Sequence, residues 1–201
     1  MASKMPGLGA HSLIVSLPDF DLPDLVPAAE VLWQEGFRVW SVVFERLDDF
    51  PELQRRFGRR AKLGVHGVSE PEQLRTAAAA GAAFVAAPFL RPQLVDAVPG
   101  LPVILGGMTP SELLAGLDAG AAAVQLLPTD AFGTGFARSL PPMLPPGTLI
   151  ANGRMERYQA DIWMDAGALG VWPQDLLSPE LVLAESLDGL RSKLQKWRLG
   201  D

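Results

Sequence analysis

The sequence predicts an α/β protein: a single domain, residues 1–201, folded as a (β/α)₈ barrel. Three observations carry that expectation. Short apolar runs alternate with helical patterns, and the alternation counts to eight, which implies parallel strands joined by right-handed crossovers. The apolar runs are almost unbroken by polar residues, as strands buried on both faces require. The repeat is about 25 residues, which suits eight tight units in a chain of 201 and leaves no room for large inserted lids. The competing arrangement is an open doubly wound sheet. The absence of a G-x-G-x-x-G after the first strand counts against it.

Residues 1–10 read as a flexible N-terminus, and HSLIVSL (11–17) as the first strand. The helix at 22–36 closes at Gly36. FRVWSVVF (37–44) is the second strand, with Glu45 and Arg46 at its carboxyl end, and 48–57 a short helix. AKLGVHG (61–67) is a strand whose exit carries His66 and Gly67. The helix at 69–81 opens on Ser69 as N-cap, with Pro71 at its start and Glu72 three residues after the cap. AAFVAA (82–87) is a strand and 91–98 a short helix.

The best-defined stretch is 101–133. LPVIL is a strand and Gly106-Gly107 a turn. Thr109 caps the next helix, Pro110 takes its first position, Glu112 completes a capping box and Gly120 closes the helix. AAAVQLL (121–127) is a buried strand whose one polar residue is Gln125, and such a side chain needs a partner or a task. A broken helix (132–144), a strand (148–152), a helix (154–167) and a strand (168–172) follow. Residues 178–197 form one closing amphipathic helix. Trp33, Trp163 and Trp197 fall on helix patterns and read as packing residues. Of the strand tryptophans Trp40 and Trp172, only Trp172 is near the expected mouth.

A net charge of −6 and a pI near 4.9 argue against nucleic-acid binding. No cysteine is present, so neither disulfides nor thiolate chemistry are expected. MASKMPGLGA lacks an apolar signal core and no run approaches a membrane span, so a cytoplasmic protein without a membrane partner is expected. The only lysines are Lys4, Lys62, Lys193 and Lys196.

SEPEQLRTAAAAGAAFVAAP and LPVILGGMTPSELLAGLDAGAAAVQLLP resemble the central third of the KDPG/KHG aldolases, the 2-keto-3-deoxy-6-phosphogluconate and 4-hydroxy-2-oxoglutarate aldolases. In element order the likeness runs from about residue 12 to 180. The resemblance implies a KDPG-aldolase-like TIM barrel, a homotrimer, no cofactor, and class I (Schiff-base) cleavage of a 2-keto acid to pyruvate. At the site the chain departs from the family. The family motif F-K-F-F-P-A, with the Schiff-base lysine second, corresponds to Val124-Gln125-Leu126-Leu127-Pro128-Thr129. An amide cannot form an iminium with a carbonyl. L-E-V-T-L-R, holding the acid/base glutamate and the carboxylate-binding arginine, corresponds to 40–45, so those positions are Ser41 and Glu45. Arg46 lies one residue on, facing the other way if the strand continues.

The family's G-A-G-T corresponds to Gly64-Val65-His66-Gly67, exchanging a hydroxyl for an imidazole. S-P-G corresponds to Ala87-Pro88-Phe89, where an aromatic ring would narrow the pocket. The phosphate motifs T-G-G and G-G-S-W correspond to Asn152-Gly153-Arg154 and Trp172-Pro173-Gln174-Asp175. Pro173 has no N–H to donate, so phosphate binding is expected to be weakened or lost.

Each candidate has a structural alternative. Gln125 is a ligand-facing amide or a hydrogen-bonder within the barrel. Glu45 and His66 are an acid/base pair, two metal ligands, or loop residues that are solvent-exposed or paired with each other. Asp130 is the only carboxylate near enough to join them, and no metal is expected. Ser41 beside a histidine lacks an orienting acid for a triad and reads as a buried serine. Asn152 and Arg154 hold an anion, or Asn152 caps the next helix and Arg154 is on the surface. The expected catalytic set is Glu45, His66 and Gln125. The expected ligand-binding set is Ser41, Phe89, Gln125, Thr129, Asn152, Gly153, Arg154 and Trp172. The function expected is a barrel without class I activity that binds a small 2-keto acid or sugar-acid-like ligand at the C-terminal face. The alternatives are an active lyase using Glu45 and His66, acid/base or metal-assisted, and a structural or partner-binding role.

Overall fold

The computed structural model describes residues 13–198. The expected flexible N-terminus, 1–10, lies outside the described residues. One sheet of eight parallel strands runs in sequence order: β1 (Ile14–Ser16), β2 (Val39–Val43), β3 (Lys62–His66), β4 (Val85–Ala86), β5 (Val103–Gly107), β6 (Ala123–Leu126), β7 (Leu149–Gly153) and β8 (Gly170–Pro173). A parallel bridge between Leu13 and Val171 joins the first strand to the last, so the sheet comes round as the expected (β/α)₈ barrel. Around it lie α1 (Leu22–Gln34), α2 (Phe50–Phe57), α3 (Pro71–Ala79), α4 (Pro110–Asp118), α5 (Thr134–Ser139), α6 (Arg157–Asp165), α7 (Pro179–Val182) and α8 (Asp188–Lys196). No described helix is long and apolar enough to cross a membrane.

The period-two alternation of a strand builds two cores. Outward residues such as Val15, Trp40, Leu105 and Val124 pack under the helices. Inward residues Ile14, Val39, Phe84, Ile104, Ile150 and Trp172 fill the barrel. Two residues further along, Ile14, Val39, Ala123 and Ile150 give way to Ser16, Ser41, Gln125 and Asn152. The interior is therefore an apolar plug at the amino ends of the strands and a polar layer at their carboxyl ends. That switch places the site.

Several local expectations are corrected. Gly106 and Gly107 belong to β5 and make no turn. A Cβ on Gly106 would lie 2.1 Å from the Pro88 carbonyl oxygen, so the glycine serves close approach of two strands. The cap of α3 is Glu70, boxed with Gln73, while Ser69 donates to the same Gln73 oxygen. For α4, the Thr109–Glu112 box is as expected. The helix expected at 91–98 is reduced to a 3₁₀ turn, Pro92–Leu94, and the strand expected at 82–87 to Val85–Ala86. The closing helix is two helices, with the Ser186 hydroxyl accepting the Asp188 N–H between them. α6 begins at Arg157 with a Glu156–Gln159 box, so Asn152 caps nothing. β2 ends at Val43, and Glu45 and Arg46 sit in a 3₁₀ turn (Phe44–Asp49), which removes the strand geometry on which Arg46's expected direction rested.

The last helix is tied down by charge. Glu35, 5% exposed, receives Arg191 and Arg198, the latter at 2.7 Å, which keeps a buried carboxylate paired.

Candidate functional site

At the carboxyl ends of the strands a cavity of about 280 Å³ opens, lined by Ser16, His66, Gln125, Asn152, Trp172 and Gln174, with Pro88 and Leu127 as apolar wall. Its polar groups are linked. Gln174 Nε2 donates to Asn152 Oδ1 at 3.3 Å, Asn152 Nδ2 to Gln125 Oε1 at 2.7 Å, and Gln125 Nε2 to the Ala87 carbonyl at 2.7 Å. Gln125 thus has partners as well as a place in the lining. Each carboxamide in the chain keeps a second amide hydrogen uncommitted to the described protein.

Across the cavity, Trp172 Nε1 donates to Ser16 Oγ at 2.9 Å, and the indole meets the His66 ring edge-on with centroids 5.7 Å apart. Ser41 Oγ and His66 Nδ1 are 2.9 Å apart. Val43 and His66 are register partners on β2 and β3, and Ser41 lies two residues before Val43, which brings the hydroxyl beneath the ring. Nδ1 is thereby occupied and Nε2 has no partner among the described residues. Burial pushes the imidazole pKa down from 6.5 to about 4, opposed by the nearby Glu45 carboxylate. The ring is neutral throughout the physiological range.

The other candidates are distributed around this cavity. Ser41 is fully buried beneath His66 and outside the lining. Glu45 is outside the lining too; its carboxylate would sit 3.9 Å from a Cβ on Gly67. Phe89 is 63% exposed and does not enter the cavity, so it does not narrow the mouth as expected. Thr129 and Gly153 pack on each other: a Cβ on Gly153 would lie 2.5 Å from Thr129 Oγ1, a buried hydroxyl with no partner among the described residues. Asp130 accepts the Arg154 N–H at 3.2 Å and is not gathered with Glu45 and His66. Among the described residues no group of three His, Cys, Asp or Glu could hold a metal ion.

A neighbouring cavity of about 380 Å³, where the expected anion site would be, is lined by Asp130, Arg154, Glu156, Asp175 and Lys193 among others. Arg154 is paired with Asp175 at 3.4 Å, and Lys193 donates to the Asp175 carbonyl. Three acids against two bases make poor phosphate ground. Lys193, near the end of the sequence, is carried by α8 back to this face of the barrel.

Ser16, Gln174 and Lys193 were not anticipated. Ser16 had a usable signal, since it stands two residues past the inward Ile14. Gln174 and Lys193 lie beyond any strand and had none.

The family description of KDPG and KHG aldolases matches residues 11–181. The chain belongs to that family. The 2-dehydro-3-deoxy-6-phosphogalactonate aldolase of Escherichia coli (strain K12) is 28% identical over 123 residues, which are 60% of this chain and 60% of that protein. The match thus spans less than two thirds of the curated relative's length. Among solved structures, native KDPGal superposes with a TM-score of 0.81 at 22% identity, covering 92% of this chain and 91% of that one. The KDPG aldolase of Legionella pneumophila, with pyruvate captured as a covalent carbinolamine, gives 0.78 at 21% identity and 94% of both chains. These structural likenesses carry the barrel fold. Within the family fold, the position that the motif comparison assigns to the Schiff-base lysine is Gln125, on the inner face of β6.

Proposed function

We propose that this family member has left the Schiff-base route. Its barrel mouth then binds a small ligand bearing the carbonyl and hydroxyl groups of a 2-keto acid or sugar acid. The observation that supports this reading is the place of Gln125. It is inward on β6 and locked between the Ala87 carbonyl and Asn152. An amide nitrogen is delocalised and does not add to a carbonyl to give an iminium. Among the described residues no lysine lines the cavity; Lys62 is at the amino end of β3 and Lys193 is held at the neighbouring one. The layer of Gln125, Asn152, Gln174 and Trp172 then serves to orient bound oxygens. The same family reading brings a homotrimer and a cytoplasmic location.

Incubation with pyruvate and sodium borohydride is expected to leave the intact mass unchanged. A reduced pyruvyl adduct on any lysine overturns the reading, and peptide mapping would show whether Lys193 is responsible.

One observation favours a second reading, a lyase of changed mechanism. His66 Nδ1 is held by Ser41, which leaves Nε2 toward the cavity as an acid/base with Glu45 nearby. On this reading the protein cleaves 4-hydroxy-2-oxoglutarate, and His66→Ala lowers the rate by about 10²–10⁴-fold. An unchanged rate in the variant removes His66 from the chemistry.

A further inference from the structure

We infer that the cavity at the barrel mouth selects an uncharged ligand bearing hydroxyl, carbonyl or carboxamide groups, and discriminates against the carboxylate of the same skeleton. The inference rests on the reading that this cavity is the ligand site. It narrows that reading: the carbonyl and hydroxyl groups of such a skeleton are taken in uncharged form, and the free acid is disfavoured.

The first ground is the lining. Its polar side chains are a hydroxyl, an imidazole, an indole and three carboxamides, and none carries a formal charge at neutral pH. Carboxamides and hydroxyls offer donors and acceptors together. The linked chain Gln174–Asn152–Gln125 alternates the two, which matches a ligand group that also donates and accepts. A carboxylate only accepts: it can take the unspent amide hydrogens, but it offers no donor to Gln174 Oε1, the amide oxygen of the chain without a partner among the described residues.

The second ground is where the cations have gone. Arg46 is engaged by Asp19 at 3.2 Å, Asp21 at 3.8 Å and Asp49 at 2.5 Å, and donates to the Phe20 carbonyl. Arg154 is paired with Asp175. Glu45, outside the lining, lies behind it beside Gly67 and acts electrostatically on His66. An anion entering here gives up hydration, meets no cation among the described lining residues and feels the Glu45 charge through a medium less polarisable than water.

The test uses small achiral probes matched in size: pyruvate against pyruvamide, and glycolate against glycolamide and ethanolamine. Binding is followed by NMR at the Trp172 indole N–H and the His66 ring in titrations at neutral pH. The amides are expected to bind at least about tenfold more tightly than the acids. Acids binding as tightly as the amides, or ethanolamine binding more tightly than glycolamide, overturns the inference while leaving the cavity a ligand site. No response to any probe overturns the inference together with the reading of the cavity as a site for this class. Gln174→Lys, at an exposed position on the rim, supplies the missing cation and is expected to reverse the preference by at least tenfold. An unchanged ratio in that variant overturns the charge argument.

Discussion

Gly106→Ala is expected to destabilise the barrel by more than about 3 kcal/mol, measured by urea or thermal unfolding. The added methyl would lie 2.1 Å from the Pro88 oxygen, 2.4 Å from its carbonyl carbon and 3.0 Å from the Ala87 oxygen. All three are backbone atoms, so no side chain can swing aside. Relief requires β4 and β5 to part. That opens the bond from Ala87 N–H to the Ile104 carbonyl at 2.9 Å and displaces the Ala87 oxygen that anchors Gln125. The variant should therefore lose the ordered cavity as well as stability. Gly133→Ala is the matched control. Nothing lies within 4 Å of its Cβ, and its effect should stay within about 0.5 kcal/mol. If both variants unfold alike, close strand approach is not why glycine stands at 106.

The same glycine shows where sequence reasoning reaches its limit. Local signals act within a few residues and were legible: the Thr109–Glu112 box, the proline at the start of α4, and the apolar runs of β1 to β8. The pressure on Gly106 comes from Pro88, two residues past the end of β4, and in sequence a glycine pair reads equally as a turn. The break between α7 and α8 falls inside a pattern that stays amphipathic across it. Glu70 displaced Ser69 as the cap of α3 by a single residue, within the range where capping side chains compete for the same N–H groups.

The site divides along a related line. His66, Gln125, Asn152 and Trp172 were legible because strand periodicity assigns a face to every second residue, and all four line the cavity. Ser41 obeys the same periodicity but lies one layer deeper, beneath His66. Past the strand ends no period applies. Phe89 swings to solvent, Gln174 turns back into the cavity, and Arg154 leaves for Asp175. Whether a loop residue meets the ligand is decided by its partners in space, which motif alignment does not carry.

Acidification is expected to remove roughly 3 kcal/mol of stability through His66 alone. The folded pKa of about 4 lies below the unfolded value of 6.5. The unfolded chain therefore takes up a proton between those values while the folded chain does not. The His66 contribution is intact above about 6.5, falls steadily as the pH drops, and is fully lost below about 4. Glu112 works in a lower window. The Met108 N–H, with the Thr109 hydroxyl and N–H, holds its carboxyl below 4.5, so its contribution is present above 4.5 and lost beneath it. Between pH 6.5 and 4.5 the loss belongs to His66 rather than Glu112. Between pH 6.5 and 4.5 the wild type should lose more unfolding free energy than His66→Gln, whose residue 66 does not titrate. A His66 ring that titrates near 6.5 by NMR would sink the prediction. Because the ring stays neutral from pH 5 upward, binding of pyruvamide should be flat over that range. A midpoint in the binding curve near 6.5 would mean that a charged imidazole takes part.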